Sequence, residues 1–156
     1  MIIQRVEVKG LIPPSTNFLY KPSIGRKGRK RFPYLRLDEY ARQFKEDFKL
    51  KAISQIDIPC GIIVQGIVGS YVYGLSLESF WRKDVSNITK AVEDSVFELL
   101  EFDDSQVVLN SERKIISETP FILIHLGFII NSDSVNDVEA LKLLLEISQK
   151  ELTYGR

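Results

Sequence analysis

The stretch from residue 84 to residue 104 holds the side chains best suited to chemistry, five charged groups at spaced positions: Asp84, Lys90, Asp94, Asp103 and Asp104. Asp84 stands just before a predicted helix, and the acidic pair follows that helix. Carboxylates grouped in this way are typical ligands of Mg²⁺, which takes a few carboxylate oxygens together with water and substrate phosphate. A cation held there would neutralise charge that develops on a phosphodiester, and the ammonium of Lys90 would help to stabilise that charge.

The same residues also have a purely structural interpretation. Asp84, with Ser86 or Asn87, is suited to cap the helix, because a short polar side chain accepts hydrogen bonds from free backbone N–H groups. Lys90 and Asp94 have the i, i+4 spacing of a weak surface ion pair. The acidic pair after the helix would then be a solvent-exposed turn. Residue types and spacing leave both interpretations open.

Positive charge is concentrated in the first third of the chain. Residues 1–50 carry 12 lysines and arginines against 5 acidic residues, whereas residues 51–156 carry 9 against 16. Five basic side chains fall in one glycine-containing stretch, which we predict to be a loop: Arg26, Lys27, Arg29, Lys30 and Arg31. Such a loop either makes the protein soluble or contacts DNA phosphates, which supply most sequence-independent affinity. Arg82 and Lys83 would add positive charge beside Asp84.

Hydrophobic periodicity predicts a single α/β (α+β) domain with one mixed sheet, packed by two helices and a further C-terminal helix. Alternating or continuous apolar residues indicate strands at residues 2–10, 61–74, 106–116 and 120–130. Helical spacing indicates helices at residues 38–53, 87–100 and 138–152. The last strand is almost uniformly apolar, which favours a central place in the sheet.

Short polar side chains mark the expected ends of these elements. Asp38 is suited to cap the first helix, and Ser134 with Asp137 forms a candidate capping box for the last. We expect Asp84 and Ser86 to end an extended segment and therefore to project from the same face.

Other residues that invite a chemical role are better explained by packing. His125 is the only histidine and lies in an apolar strand, so we expect a core histidine rather than a general base. Tyr71 and Tyr73 are expected to pack within a strand. Trp81, beside the charged cluster, is the aromatic side chain best placed to stack on an unpaired base.

Residues 82–107 resemble the signature of the RusA-like Holliday junction resolvases. That signature runs Asp-x-Asp-Asn, a lysine three positions on, a helix containing aspartate, and then Asp-Asp-x-Gln-Val at the start of a strand. The matching positions here are Asp84, Asn87, Lys90, Asp94, Asp103, Asp104, Gln106 and Val107. The Pro-Pro-Ser of residues 13–15, followed by Asn17, resembles the N-terminal motif of the family. By this resemblance residues 1–131 form the nuclease domain, and residues 132–156 form a helical extension of it.

The resemblance implies a homodimer that binds four-way DNA junctions and nicks two strands symmetrically with Mg²⁺, or with Mn²⁺ in its place. The metal-binding carboxylates of the family correspond to Asp84 and Asp104, with Asp103 beside them. Its essential lysine corresponds to Lys90. The implied function is therefore junction resolution in DNA recombination and repair.

One position departs from the signature. Its second aspartate is Ser86 here, and a serine hydroxyl is a neutral, weak ligand for Mg²⁺. Either water or another carboxylate completes the site, in which case Asp94 is the nearest candidate in sequence, or metal affinity is reduced. In the second case the protein would bind junctions without cutting them. Ser86, Asn87 and Asp94 are therefore auxiliary candidates.

Composition limits the remaining possibilities. The single cysteine, Cys60, excludes an internal disulfide framework and a cysteine-based zinc cluster, and it fits a reducing compartment. The chain begins without an apolar signal core and has no apolar run of 18 residues. We therefore expect a cytoplasmic protein that does not bind membranes.

Overall fold

The computed structural model describes residues 1–15, 20–27, 30–58, 63–130 and 136–154, and it confirms the predicted mixed α+β architecture in one domain. Its strands and helices follow one another in this order: β1 (Ile2–Lys9), β2 (Tyr20–Lys27), β3 (Lys30–Leu37), α1 (Glu39–Ala52), β4 (Gly66–Leu75), α2 (Leu77–Arg82), α3 (Val85–Leu100), β5 (Val107–Ile116), β6 (Phe121–Ile129) and α4 (Asp137–Tyr154). Two short 3₁₀ turns, Ile53–Gln55 and Asp104–Gln106, follow α1 and precede β5.

Four strands form the main sheet in the order β1-β6-β4-β5. Strands β4 and β5 run parallel, whereas β6 pairs antiparallel with both β1 and β4. Residues 122–129 of β6 are buried, because strands flank it on both sides and helices cover both faces. The central position predicted from its apolar sequence is confirmed.

Helices α1 and α3 cover one face of this sheet. Phe44 and Phe48 of α1 pack in the same core as Ile88 and Val92 of α3, above Tyr71 of β4. Each large apolar side chain buried in this way stabilises the fold by about 1.5–3 kcal/mol. This core fixes α3 against the sheet and therefore fixes every charged residue that α3 carries.

Helix α4 covers the opposite face. Ala140 and Leu144 are buried there, whereas Leu145 is 40% exposed, so α4 presents one apolar stripe to the sheet. Asn136 caps α4 by accepting a hydrogen bond from the backbone N–H of Glu139 at 2.9 Å. The predicted capping residue, Ser134, lies outside the described residues. Of the helices that the structure describes, none is long and apolar enough to span a membrane.

The crossover between β4 and β5 carries the charged stretch. Parallel strands cannot be joined by a tight turn, so the chain needs a long connection, and α2 and α3 provide it. Helix α3 stops at Glu101, whose φ of 57° lies in the left-handed region and whose N–H bonds the carbonyl of Phe97. The chain then turns back at once to begin β5.

The short helix α2 was not predicted, and it changes the surroundings of Asp84. Ser76 caps α2 by accepting a hydrogen bond from the N–H of Ser79 at 3.3 Å. The expectation that Asp84 and Ser86 end an extended segment was wrong: Asp84 caps α3, and Ser86 is the second residue of that helix. Trp81 on α2 is 75% exposed.

The basic segment predicted to be a loop is instead a ribbon of two strands, β2 and β3, separate from the main sheet. Arg26 pairs with Arg31, and Lys27 pairs with Lys30, across the ribbon. The connection between the strands, which includes Arg29, lies outside the described residues. The loop prediction failed because backbone pairing across a ribbon outweighs the weak strand preference of glycine and lysine.

Candidate active site

Asp84 is the N-cap of α3. Its carboxylate accepts a hydrogen bond from the backbone N–H of Ser86 at 3.2 Å, and its carbonyl oxygen accepts one from Ile88 at 3.2 Å. Such a cap stabilises a helix by about 1 kcal/mol. Asp84 is exposed, and the cap uses one carboxylate oxygen, so the second oxygen can face a ligand.

Lys90 joins α3 to the acidic pair that follows it. Its ammonium contacts the carboxylate of Asp104 and lies 3.3 Å from that of Asp94. The hydrogen bond to Asp104 raises the pKa of Lys90. The side chains of Lys90 and Asp104 are each about half exposed, so this pair contributes at most about 1 kcal/mol to stability.

Asp103 has a local partner. Its carboxylate accepts a hydrogen bond from the backbone N–H of Ser105 at 2.8 Å and caps the turn Asp104–Gln106. The side chain and the backbone N–H of Ser105 lower the pKa of Asp103. Asp103 thus makes the contacts of a residue that caps an exposed turn.

A cleft of about 440 Å³ lies between the residue 13–15 segment and the start of α3. Its walls come from both regions: Pro14, Ser15, Tyr40, Arg82, Lys83, Asp84 and Asn87. The Tyr40 hydroxyl donates a hydrogen bond to the carbonyl of Ile12 at 2.7 Å. Tyr40 is 54% exposed and lines this cleft.

The basic residues of the cleft have partners within the protein. The ammonium of Lys83 donates to the carbonyl of Pro13, which is 70 positions away, at 2.8 Å, and burial lowers the pKa of Lys83. Lys83, predicted as a DNA contact, therefore also ties the residue 13–15 segment to the crossover. Arg82 lies 2.7 Å from Glu78 in an exposed pair, which is weak enough for phosphate to displace.

The ribbon carries three more of the predicted DNA contacts on described side chains. Arg26, Lys30 and Arg31 are exposed at its end. At its base Lys21 forms an ion pair with Asp38, the N-cap of α1, and this contact lowers the pKa of Asp38. The ribbon is thus tied to α1 at its base and carries the exposed Arg26, Lys30 and Arg31 at its other end.

Glu112 of β5 is an acid near the first turns of α3 that the sequence pattern did not single out. It is partly buried and lies beside Ser86 and Thr89 in the first turns of α3. Burial raises the pKa of Glu112, the negative charges of Glu93 and Asp84 raise it further, and the Ser86 hydroxyl lowers it. In the sequence, Glu112 is a single acidic residue within the predicted strand 106–116, with no pattern around it. Its place beneath α3 follows from the register of β5 against β4.

His125 is a core histidine, as predicted. It is buried, and its Nδ1 lies 2.8 Å from the hydroxyl of Ser148, which in turn lies 3.0 Å from that of Ser70. Its Nε2 lies 3.2 Å from the carboxylate of Glu151, which also binds Arg5 at 2.7 Å. Burial lowers the pKa of His125, and the network fastens α4 to the sheet.

The expected trio of metal ligands is not assembled. Within the described part of the chain, no three acidic, histidine or cysteine side chains are grouped so that they could hold a metal ion. Asp84, Asp103 and Asp104 therefore do not form a three-carboxylate site. Mg²⁺ requires only one or two protein carboxylates when water and phosphate complete its shell, and the exposed oxygens of Asp84 and Asp104 have the right chemistry for it.

Comparisons with known proteins add no further constraint. The chain matches no protein-family model, and it has no significant match among curated proteins. The functional argument therefore depends on the residues and on their geometry.

Proposed function

We propose that the protein is a Mg²⁺-dependent, structure-specific DNA endonuclease that resolves four-way (Holliday) junctions by paired nicks, as RusA-like resolvases do. Its role would lie in DNA recombination and repair. Mn²⁺ would replace Mg²⁺, because both cations accept carboxylate, water and phosphate oxygens.

The cleft at the start of α3 carries this proposal. Pro14 and Ser15 line it together with Asp84 and Asn87, so the two motifs of the resemblance, far apart in sequence, border one space. A purely structural helix cap would not need the Pro-Pro-Ser segment beside it. The cleft is also bordered by Arg82, which suits the approach of a phosphate.

Each residue has a role in this scheme. Asp84 and Asp104 would hold Mg²⁺, with Asp103 on the adjoining turn. When bound, the cation would activate water and neutralise charge that develops on the phosphate. The ammonium of Lys90, which Asp104 orients, would stabilise the same charge. Two nicks at symmetric positions of a two-fold junction require two such sites, and hence a homodimer.

Binding would depend on the ribbon. Arg26 and Arg31 sit side by side on paired strands, so their side chains would contact neighbouring phosphates of one DNA arm. Lys27 and Lys30 form the next backbone pair towards the end of the ribbon. Phosphate contacts fix position without reading sequence, as recognition by junction shape requires.

A direct cleavage assay tests the proposal. The purified protein is incubated with a labelled four-way junction, and separately with a linear duplex of one arm, in the presence of Mg²⁺. We expect paired nicks in the junction and an intact duplex. A junction that stays intact at high enzyme excess would contradict nuclease function.

A second candidate is a junction-binding protein without catalysis. The observation that favours it is Ser86, which supplies a neutral hydroxyl where the signature has a carboxylate. A shifted but uncut junction in a gel would support this alternative. If Ser86→Asp then cleaves the junction, the missing carboxylate alone accounts for the absence of cleavage by the unaltered protein.

A further inference from the structure

The ribbon of β2 and β3 is a separate sheet of two strands, and cations lie on both of its faces. Successive residues of a strand point to opposite faces, and paired residues share a face. Arg26 and Arg31, the arginine pair, therefore lie on one face, whereas Lys30 and Arg36, the mixed pair, lie on the other. All four side chains are exposed. A two-stranded ribbon is only marginally stable by itself in water, which favours a partner that contacts both faces.

The charge of the ribbon favours a polyanion as that partner. Residues 20–37 contain seven lysines and arginines and no acidic residue. Within the described part of the chain, neither the arginine pair nor the mixed pair forms an ion pair. Phosphates would neutralise these cations and release counterions, which supplies binding energy. A flat row of phosphates would reach only one face of the ribbon, so both pairs are used together only where phosphates lie on two sides.

The edges of the ribbon are unsuited to another strand. Pro22 lies on β2 and Pro33 lies on β3, and both are paired across the ribbon. Proline is tolerated in a strand where its nitrogen points away from the partner strand, so each proline removes a donor from one outer edge. Prolines at sheet edges disfavour pairing with a further strand. A second protein chain that extends the ribbon by strand addition is therefore a poor candidate for the partner.

The side chains between the cations keep the ribbon slim. A Cβ atom at Gly25 would lie 2.6 Å from the ring of Phe32, so this ring lies flat across the opposite strand. On the other face Ile24 is 70% exposed. An apolar side chain in this position can contact base edges, such as the methyl group of thymine, without reading them by hydrogen bonds.

We propose that the ribbon inserts into the major groove of one arm of a DNA junction. The arginine pair would contact phosphates of one DNA strand, and the mixed pair would contact phosphates of the other strand across the groove. The major groove is about 12 Å wide and admits a two-stranded ribbon, whereas the minor groove, about 6 Å wide, is too narrow. The inference rests on the proposed function for its DNA partner, and it adds the groove and the role of each face.

Fluorescence anisotropy of the full chain with a labelled four-way junction, without Mg²⁺ so that the DNA stays intact, tests the use of both faces. One variant combines Arg26→Gln with Arg31→Gln, and a second combines Lys30→Gln with Arg36→Gln. We expect each to weaken binding at least about tenfold, because each loses two phosphate contacts. Loss of affinity in only one of the two variants would show that the ribbon lies flat on the DNA and would overturn insertion.

The matched control makes the same change of charge elsewhere. It combines Lys142→Gln with Lys150→Gln, two exposed positions on α4, and it should bind the junction as the unaltered protein does. An equal loss of affinity in this control would show that net charge, and not the ribbon, determines binding.

A second measurement leaves the protein unaltered and blocks one groove of the DNA at a time. Glucosylated hydroxymethylcytosine fills the major groove of the arms, and distamycin fills the minor groove of arms rich in A·T pairs. We expect the first to weaken binding at least about tenfold and the second to leave it unchanged. The variant of the arginine pair should lose little further affinity on glucosylated arms. Full affinity for glucosylated arms would overturn the inference.

The outcomes separate this inference from the proposed function. A protein that cuts junctions but binds glucosylated arms at full affinity would keep its nuclease function and contradict insertion. A protein that binds through the major groove but leaves every junction intact would uphold the inference and contradict nuclease function. Absence of DNA binding would contradict both.

Discussion

The ammonium of Lys90 lies against the carboxylate of Asp104, 14 positions further along the chain. The contact joins the middle of α3 to the turn that precedes β5. It holds a positive charge at the surface, where a phosphate can reach it, because both side chains are about half exposed. An exposed ion pair of this kind adds little to the free energy of unfolding. Loss of the Lys90 ammonium should therefore reduce cleavage much more than stability.

We predict that Lys90→Gln will reduce single-turnover cleavage of a four-way junction at least about 100-fold, the scale seen when one charge-stabilising donor is removed. The free energy of unfolding should change by less than about 1 kcal/mol, because the ion pair is exposed. Lys49→Gln is the matched control, since Lys49 also forms a partly exposed ion pair, at 2.6 Å from Glu98. An equal loss of cleavage in both variants would show that Lys90 acts through stability.

We predict that Asp84→Asn and Asp84→Ala will differ in stability but not in activity. Asparagine caps helices about as well as aspartate, whereas alanine loses the bond to the N–H of Ser86, at a cost of about 1 kcal/mol. Both changes remove the carboxylate, so both should abolish cleavage. Urea unfolding and the junction assay measure the two effects separately. Full cleavage by Asp84→Asn would limit Asp84 to its capping role.

We predict that Arg26→Gln with Arg31→Gln will weaken junction binding and make it less sensitive to salt. Each phosphate contact that is lost should reduce the slope of log affinity against log salt by about 0.9, so two contacts should reduce it by about 2. Fluorescence anisotropy at several salt concentrations gives this slope. Lys142→Gln on α4, exposed on the opposite face of the sheet, is the control. An unchanged slope in the ribbon variant would exclude the ribbon from the DNA interface.

We predict that stability will fall at mildly acidic pH because of His125. Burial lowers its folded-state pKa below the unfolded value of about 6.5. As the pH falls below about 6.5, His125 is protonated in the unfolded chain but stays neutral in the folded chain. The free energy of unfolding therefore decreases until the pH reaches the folded-state pKa. Urea unfolding between pH 5 and 8 should show a flatter profile for His125→Gln. Parallel profiles would contradict this coupling.

The parts of the fold that follow from local pattern were predictable from the sequence. The apolar run of β6 predicts its central place, and the spacing of Phe44 and Phe48 predicts the buried side of α1. The histidine in an apolar strand predicts a core residue, and His125 is one. In each case the pattern of apolar residues lies within a short stretch of sequence, and the burial of those residues determines where the element packs.

Features that depend on distant pairing were not predictable. The ribbon of β2 and β3 has glycine and basic residues that favour a loop, and only the pairing of its strands makes it regular. Helix α2 has six residues, too few for a periodic pattern. Glu112 was missed because its place beneath α3 depends on the register of β5 against β4, which no local pattern encodes.

Anomalous diffraction from a crystal soaked in Mn²⁺ most directly tests whether Asp84 marks a divalent-cation centre. We predict one strong peak about 2.0–2.3 Å from a carboxylate oxygen of Asp84, with a second carboxylate oxygen from Asp104 in its shell. A fully occupied Mn²⁺ elsewhere on the molecule, with none near Asp84, would contradict both the cation site and the nuclease that depends on it.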